Sequence, residues 1–357
     1  MSSDRPQFPT IPASWEAIDA EWMTAALAAR VPGAVVSEVE LILRDDGTNR
    51  RARFGLTYSS GSGPASVFLK AADPAHTQLN ASTGGVFNEA LLFLADVALP
   101  VDHPGVYRVL IDEPALDFLM VMEDITARGG DPRDATRPLS VAQAAHGVRA
   151  LARLHSAYWG DRLDRQPALS WVEPFHAWSG MARGIDVGIR RAGDRIPATV
   201  RELSGDRIEG DHWARYVTTL ADGPATLLHG DPHIGNTYVL PGDEVGFLDW
   251  QVLRRGNFSL DLGYFLQGAV TVEDRRSSEA ELLAEYRHAL DLPDAEAPSA
   301  EEVWLRYRAS VAHGLAIWLA TAASTWQRPE VSLALSGRYA AAFVDLDTPS
   351  AIDELIA

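Results

Sequence analysis

The clearest pattern in the chain is a run of β-like apolar segments separated by turn residues. Val36-Ser37-Glu38-Val39-Glu40-Leu41-Ile42-Leu43 and Ala52-Arg53-Phe54-Gly55-Leu56-Thr57-Tyr58 flank Asp45-Asp46-Gly47-Thr48-Asn49, so two antiparallel strands around a glycine-containing turn are expected. Gly61-Ser62-Gly63-Pro64 makes the next turn, and Ser66-Val67-Phe68-Leu69-Lys70 a third strand. A helix is expected from about Gly85 to Ala98, with Glu89 in its first turns. Tyr107–Ile111 and Phe118–Met122, turned by Asp112-Glu113-Pro114, complete a five-stranded sheet.

After Glu123-Asp124 the apolar spacing becomes helical. Ser140-Val141-Ala142-Gln143 reads as a capping box, and Val141, Ala144, Ala145, Val148, Leu151, Ala152 and His155 share a face. Ser278 to Glu281 and Ser299 to Glu302 are expected to open two later helices. The apolar stretch Val311–Ser324 falls short of the ~20 residues a bilayer needs and reads as a buried helix. Ahead of the sheet lie a proline-punctuated lead-in and a helix with Trp15, Ile18, Trp22, Ala25 and Ala26 on one face. The expected organisation is an N-terminal helical extension over 1–34, a β-rich lobe over 35–123, and an α-rich lobe over 124–357. No repeat or low-complexity tract interrupts it.

Composition narrows the function. With 357 residues, 46% of them hydrophobic, the chain can build a sizeable core. Its 31 basic against 49 acidic residues, a net charge of −18, disfavour nucleic acid and anionic membranes as partners. The absence of cysteine excludes disulfides, thiolate-held zinc and a thiol nucleophile. The opening Met1-Ser2-Ser3-Asp4-Arg5-Pro6 has no apolar run of the signal-peptide kind, so a cytoplasmic enzyme is expected. Thirty of the basic residues are arginine and only Lys70 is lysine. A compact ammonium at one strand end is a specific chemical choice.

The richest stretch is His229-Gly230-Asp231-Pro232-His233-Ile234-Gly235-Asn236, followed by Thr237–Leu240, a Pro241-Gly242-Asp243-Glu244 turn and Val245-Gly246-Phe247-Leu248-Asp249-Trp250-Gln251. Asp231 and Asn236 stand five apart, as in the catalytic loop of protein kinases, and Asp249 closes the hairpin as the kinase metal-binding aspartate does. Phosphoryl transfer needs a carboxylate to take the acceptor's proton and hard oxygens for Mg²⁺. Asp231 suits the first task, Asn236 and Asp249 the second. Lys70 would hold the α- and β-phosphates, oriented by Glu89.

On these residues, with Met122-Glu123-Asp124 at a hinge and Leu151-Ala152-Arg153-Leu154-His155-Ser156-Ala157-Tyr158-Trp159, the chain resembles the aminoglycoside phosphotransferase and choline-kinase-like small-molecule kinases, including their ecdysteroid-kinase-like branch. The resemblance covers roughly residues 35–325 and is weaker in the first lobe, where Asp46-Gly47-Thr48-Asn49 stands in place of a glycine-rich loop. It implies an α+β, bilobal protein-kinase-like fold: a five-stranded antiparallel sheet lobe with one helix and a larger, mostly helical lobe. It also implies ATP or GTP bound between the lobes, its base against backbone near Val121 to Asp124, and transfer to a hydroxyl of a small molecule held by the helical lobe. Gly47, Thr48, Asn49, Met122 and Asp124 join Lys70 and Glu89 as candidate nucleotide contacts.

Two other readings stand beside this one. His229, Asp231, His233 and Asp249 have the chemistry of a metal-hydrolase cluster, although Pro232 and Gly235 favour a loop and Lys70 and Asn236 are then left without a task. A non-catalytic nucleotide-binding module predicts loss of Asp231 or Asp249, and both are present. Of the remaining candidates, His155 reads as a core histidine, His229 and His233 as braces of the loop, and Asp261 as its anchor. Trp171, Trp178, Trp304 and Trp326 are candidates for an acceptor pocket. The acceptor, the choice of ATP or GTP and the oligomeric state are not written in the sequence.

Overall fold

The computed structural model describes residues 10–76 and 85–357. The proline-punctuated lead-in over residues 1–9 lies outside them. The chain divides into two compact units, Met1–Val97 with His103–Gly130 and Ala98–Asp102 with Asp131–Ala357.

The first unit is a five-stranded antiparallel sheet of β1 (Val35–Arg44), β2 (Asn49–Ser60), β3 (Ser66–Ala72), β4 (Val106–Asp112) and β5 (Asp117–Glu123), in the order β1-β2-β3-β5-β4. The period-two rule sorts its side chains. Val67, Leu69 and Ala71 of β3 with Leu119 and Val121 of β5 pack on one face, while Ala72, Phe118, Met120 and Met122 pack on the other. The first face is covered by Trp15, Ile18 and helix α1 (Ala20–Leu27), through Met23, Ala26 and Leu27. Asp19 caps α1 by accepting from Trp22 N at 2.8 Å, so Trp15 sits in a preceding 3₁₀ turn rather than on one continuous stripe. Residues 15–27 therefore pack as part of this unit's core.

The second face carries helix α2 (Asn88–Leu94), much shorter than the expected 85–98. It stops because Asp96 adopts a left-handed conformation (φ 49°), which a helix cannot continue through. Ala90 and Leu92 face the sheet, and Glu89 is buried beside them.

The second unit is mostly helical. Helix α3 (Val141–Ala157) begins at the expected capping box, with Gln143 N donating to Ser140 Oγ at 3.2 Å and Ser140 N to Gln143 Oε1 at 3.0 Å. After α4 (Ala182–Ala192) the chain enters short strands: β7 (Thr226–Leu228) pairs with β10 (Arg254–Gly256), and β6 (Asp131–Pro132), β8 (Thr237–Val239) and β9 (Val245–Phe247) form a three-stranded sheet. Helix α5 (Ser259–Ala269) is buried at every position, and α6 (Val272–Ala289), α7 (Ala300–Ala322), α8 (Pro329–Asp345) and α9 (Thr348–Ile356) follow. α7 starts at Ser299 as expected and contains most of the apolar stretch after Val311, but Ser278 opens nothing. It lies inside α6, which is capped seven residues earlier by Thr271 accepting from Asp274 N. No described helix is long and apolar enough to cross a membrane.

Candidate active site

In the first unit the alternation along β3 puts Lys70 on the α2 side of the sheet, opposite Leu69 and Ala71. There its Nζ meets Glu89 Oε2 at 2.5 Å, with both side chains buried. Burial of either charge alone is costly, so each requires the other. The turn joining β1 to β2 closes with Gly47 N donating to Asn49 O at 2.9 Å. Its acids are compensated locally, Asp46 by Arg44 at 2.5 Å and Asp45 by Arg51 at 3.0 Å. Thr48 is half-buried and Asn49 buried. Met122 lies in β5. Asp124 has no carboxylate oxygen to spare: Oδ2 meets Ser66 Oγ and Arg53 Nε, and Oδ1 accepts from Thr126 N and Oγ1. Burial pushes its pKa up, but these bonds outweigh burial and hold it below the usual range. Only its backbone is left for a ligand.

In the second unit the loop after β7 is shaped by its anchor. Asp261, on α5, accepts from His229 N at 2.7 Å and Gly230 N at 2.9 Å, while His155 Nε2 lies 3.3 Å from the same carboxylate and its Nδ1 2.7 Å from Tyr286 Oη. Gly230 takes φ 83°, and a Cβ there would stand 2.0 Å from Val252 O, so no other residue fits. Asn236 Nδ2 donates to Asp231 O at 2.9 Å and Oδ2 at 3.1 Å, which closes the five-residue spacing on itself. Two further bonds fix Asp249 against the loop through its neighbour: Leu248 N donates to Asn236 O at 2.8 Å, and Leu248 O accepts from His229 Nε2 at 2.9 Å. Asp249 itself is left-handed (φ 61°), a conformation uncommon outside glycine that aspartate adopts more readily than most residues.

The Asp231 side chain is deeply set yet 30% accessible. Burial raises its pKa well above the ordinary carboxylate range, and the like charge of Asp249 adds to that, while Tyr264 and Asn236 partly oppose it. His233 Nε2, 3.7 Å away, offers no counter-charge, because burial lowers that imidazole to about 4. The like charge of Asp249 acting on Asp231 is one that a bound cation would relieve.

The donor set fits a hard divalent ion. With its amide hydrogens directed at Asp231, Asn236 has Oδ1 left to give, and Asp249 supplies a carboxylate. Two protein oxygens suit Mg²⁺, which keeps water and takes phosphate oxygens for the rest. The hydrolase cluster fares worse. Both ring nitrogens of His229 are engaged, with Leu248 O and Asp231 N, and His233 Nδ1 accepts from Gly235 N. Among the described residues no three His, Asp, Glu or Cys side chains converge on a metal position.

Of the other expectations, Asp261 anchors the loop, and His155 is fully buried. Tyr264 stands one helical turn after Asp261, the spacing that puts both on one face of α5, and this is the signal by which the sequence shows it.

A family model for the phosphotransferase enzyme family matches residues 45–304, more than half the chain. The chain belongs to that family. It is thus an enzyme, a small-molecule kinase by membership, and its α+β architecture is the kinase-like one the sequence implies. No curated protein matches in a sequence comparison. Among solved structures, a Ralstonia eutropha JMP134 protein assigned to the aminoglycoside phosphotransferases is 16% identical over 90% of this chain and 98% of its own, with a TM-score of 0.51. The choline kinase LicA of Streptococcus pneumoniae is 14% identical over 91% and 98%, with a TM-score of 0.47. Choline kinase from Cryptosporidium parvum is 12% identical over 95% and 96%, with a TM-score of 0.49. The kinase fold of this phosphotransferase is what the first likeness carries.

Proposed function

We propose that the enzyme moves the terminal phosphoryl group of ATP or GTP to a hydroxyl of a small molecule. Asp231 receives the hydroxyl proton as the acceptor oxygen bonds to phosphorus, and the bond from phosphorus to the bridging oxygen breaks to release the nucleoside diphosphate. Its raised pKa makes it a stronger base than an ordinary carboxylate. Asn236 and Asp249 hold Mg²⁺, whose charge, when bound, offsets that of the phosphates. Lys70, aligned by Glu89, contacts the α- and β-phosphates; the Gly47–Asn49 turn offers backbone and side-chain donors, and the backbone from Val121 to Asp124 meets the base. The observation that carries this reading is the closed Asp231–Asn236 contact, locked to Asp249 through Leu248.

The test is nucleotide consumption by the purified enzyme with Mg²⁺ across hydroxylated acceptors, with phosphorylated product identified by mass. The reading expects acceptor-dependent release of ADP or GDP that stops when EDTA is added. Turnover that persists in EDTA, or that requires zinc, contradicts it.

A further inference from the structure

In the first unit, strands β2 and β3 pair Arg51 with Lys70 and Arg53 with Phe68. Side chains of directly opposed residues share one side of a sheet, with Cβ atoms about 5 Å apart, so Arg51, Arg53 and Lys70 all stand on the α2 side. The three cations differ in what holds them. Lys70 is matched by Glu89, whose side chain is 4% accessible. Arg53 is matched by Asp124, 3% accessible, whose oxygens also serve Ser66 and Thr126. Arg51 is matched by Asp45 at 3.0 Å, and that carboxylate is 60% accessible, with the Arg51 side chain at 35%.

An ion pair so open to water holds weakly. Nor does the turn depend on it. Asp45 N donates to Arg51 O and Gly47 N to Asn49 O, both at 2.9 Å, and Arg51 N donates to Asp46 Oδ1 at 3.2 Å. These bonds close the hairpin without the Asp45 carboxylate. Arg51 Nε donates to the Asp45 backbone oxygen at 2.9 Å, so the stem stays anchored if the terminal nitrogens change partner.

We infer that Arg51 is a further phosphate-binding residue of the nucleotide site, its guanidinium exchanging the Asp45 carboxylate for oxygens at the triphosphate end. A planar guanidinium takes two phosphate oxygens at once, where an ammonium supplies a point charge, and a triphosphate carries more charge than the one carboxylate it displaces. Asp45 is then a built-in competitor for the same cation. The inference rests on the kinase reading above, in which Lys70, the cross-strand neighbour of Arg51, contacts the α- and β-phosphates.

The experiment titrates ATP, ADP and AMP, or the guanine series where the wild type prefers it, into the intact enzyme with Mg²⁺ by calorimetry. Arg51→Gln, Asp45→Asn and the double variant are titrated alongside, with thermal melts to show that each is folded. Arg51→Gln is expected to weaken triphosphate binding about tenfold, diphosphate binding less and monophosphate binding not at all. Asp45→Asn is expected to do the reverse, tightening the triphosphate by about two- to threefold, and the double variant to lose that gain because it acts through Arg51. A mere brace of the turn gives the other sign, Asp45→Asn weakening all three nucleotides alike. That result overturns the inference, as does a loss in Arg51→Gln that is equal for triphosphate and monophosphate. A gain from Asp45→Asn that survives in the double variant also overturns it, since relief of repulsion then explains the gain without Arg51. The kinase reading stands in each of these cases, whereas a wild type that binds neither nucleotide series ends both.

Discussion

Each unit buries charge, and the Lys70 and Asp231 sites handle it in opposite ways, although the second unit pairs buried charge elsewhere, Arg275 with Glu279 at 2.7 Å. In the first, the single lysine is matched by Glu89 at 2.5 Å, and the hairpin acids Asp45 and Asp46 are matched by arginines. In the second, Asp231 has Asp249 as a near neighbour of like sign, Asn236 as a neutral donor, and a histidine too buried to be charged. The first unit is an electrostatically finished structure that presents an oriented ammonium. At Asp231 the second stores repulsion. That difference separates two kinds of site: the Lys70–Glu89 pair loses stability when a charge is removed, whereas the Asp231 site loses function and gains stability.

The largest effect belongs to the Asp231 site. Asp231→Asn should keep the fold and lower kcat by ~10²–10⁴, the usual contribution of a general base. Steady-state turnover with any accepted substrate measures it, and a variant of near-normal kcat removes Asp231 from the role of base. Next comes the paired unit. Glu89→Gln removes a charge that pairs with the buried Lys70 ammonium and should cost about 3–5 kcal/mol of stability, read as a lower denaturant midpoint. A midpoint like that of the wild type means that Lys70 and Glu89 do not depend on each other.

The smallest effect has the opposite sign. Because the folded Asp231 carboxyl titrates above its unfolded value, the folded state is penalised once pH exceeds the ordinary carboxylate pKa of ~4, and the penalty grows up to the folded pKa. Asp231→Asn should therefore raise Tm at pH 7, by roughly 2–4 °C for each kcal/mol relieved. The gain should vanish near pH 3, where both forms are uncharged. A variant less stable than the wild type at pH 7 breaks the contrast between the units.

Much of this was legible in advance because its causes are local. Strand alternation and glycine turns place the five-stranded sheet, and Asp231, Asn236 and Asp249 sit within nineteen residues, joined by bonds that their own loop and hairpin make. Other features turn on competition or distance. Thr271 and Ser278 both precede an acid by three residues, and the earlier cap wins because nothing between them breaks the helix. Asp96 ends α2 through a backbone conformation that no spacing announces. A run of aromatic rings joins residues 175, 178, 233, 264, 313 and 318, whose proximity exists only after the helices pack. Asp124 is the instructive case: its place before a helical segment is plain, but its use by Ser66 and Arg53 depends on strands 58 and 71 residues earlier.

What most needs testing is the proposal that Asn236 and Asp249 hold a divalent cation on a nucleotide. Calorimetric titration of ATP and GTP into wild type and Asp249→Ala, each with Mg²⁺ and with EDTA, tests it without relying on turnover. The account predicts that Mg²⁺ tightens nucleotide binding in the wild type, and that Asp249→Ala loses most of that gain while binding metal-free nucleotide as well as before or better, one repelling carboxylate having been removed. A Mg²⁺ gain of equal size in both proteins contradicts the claim.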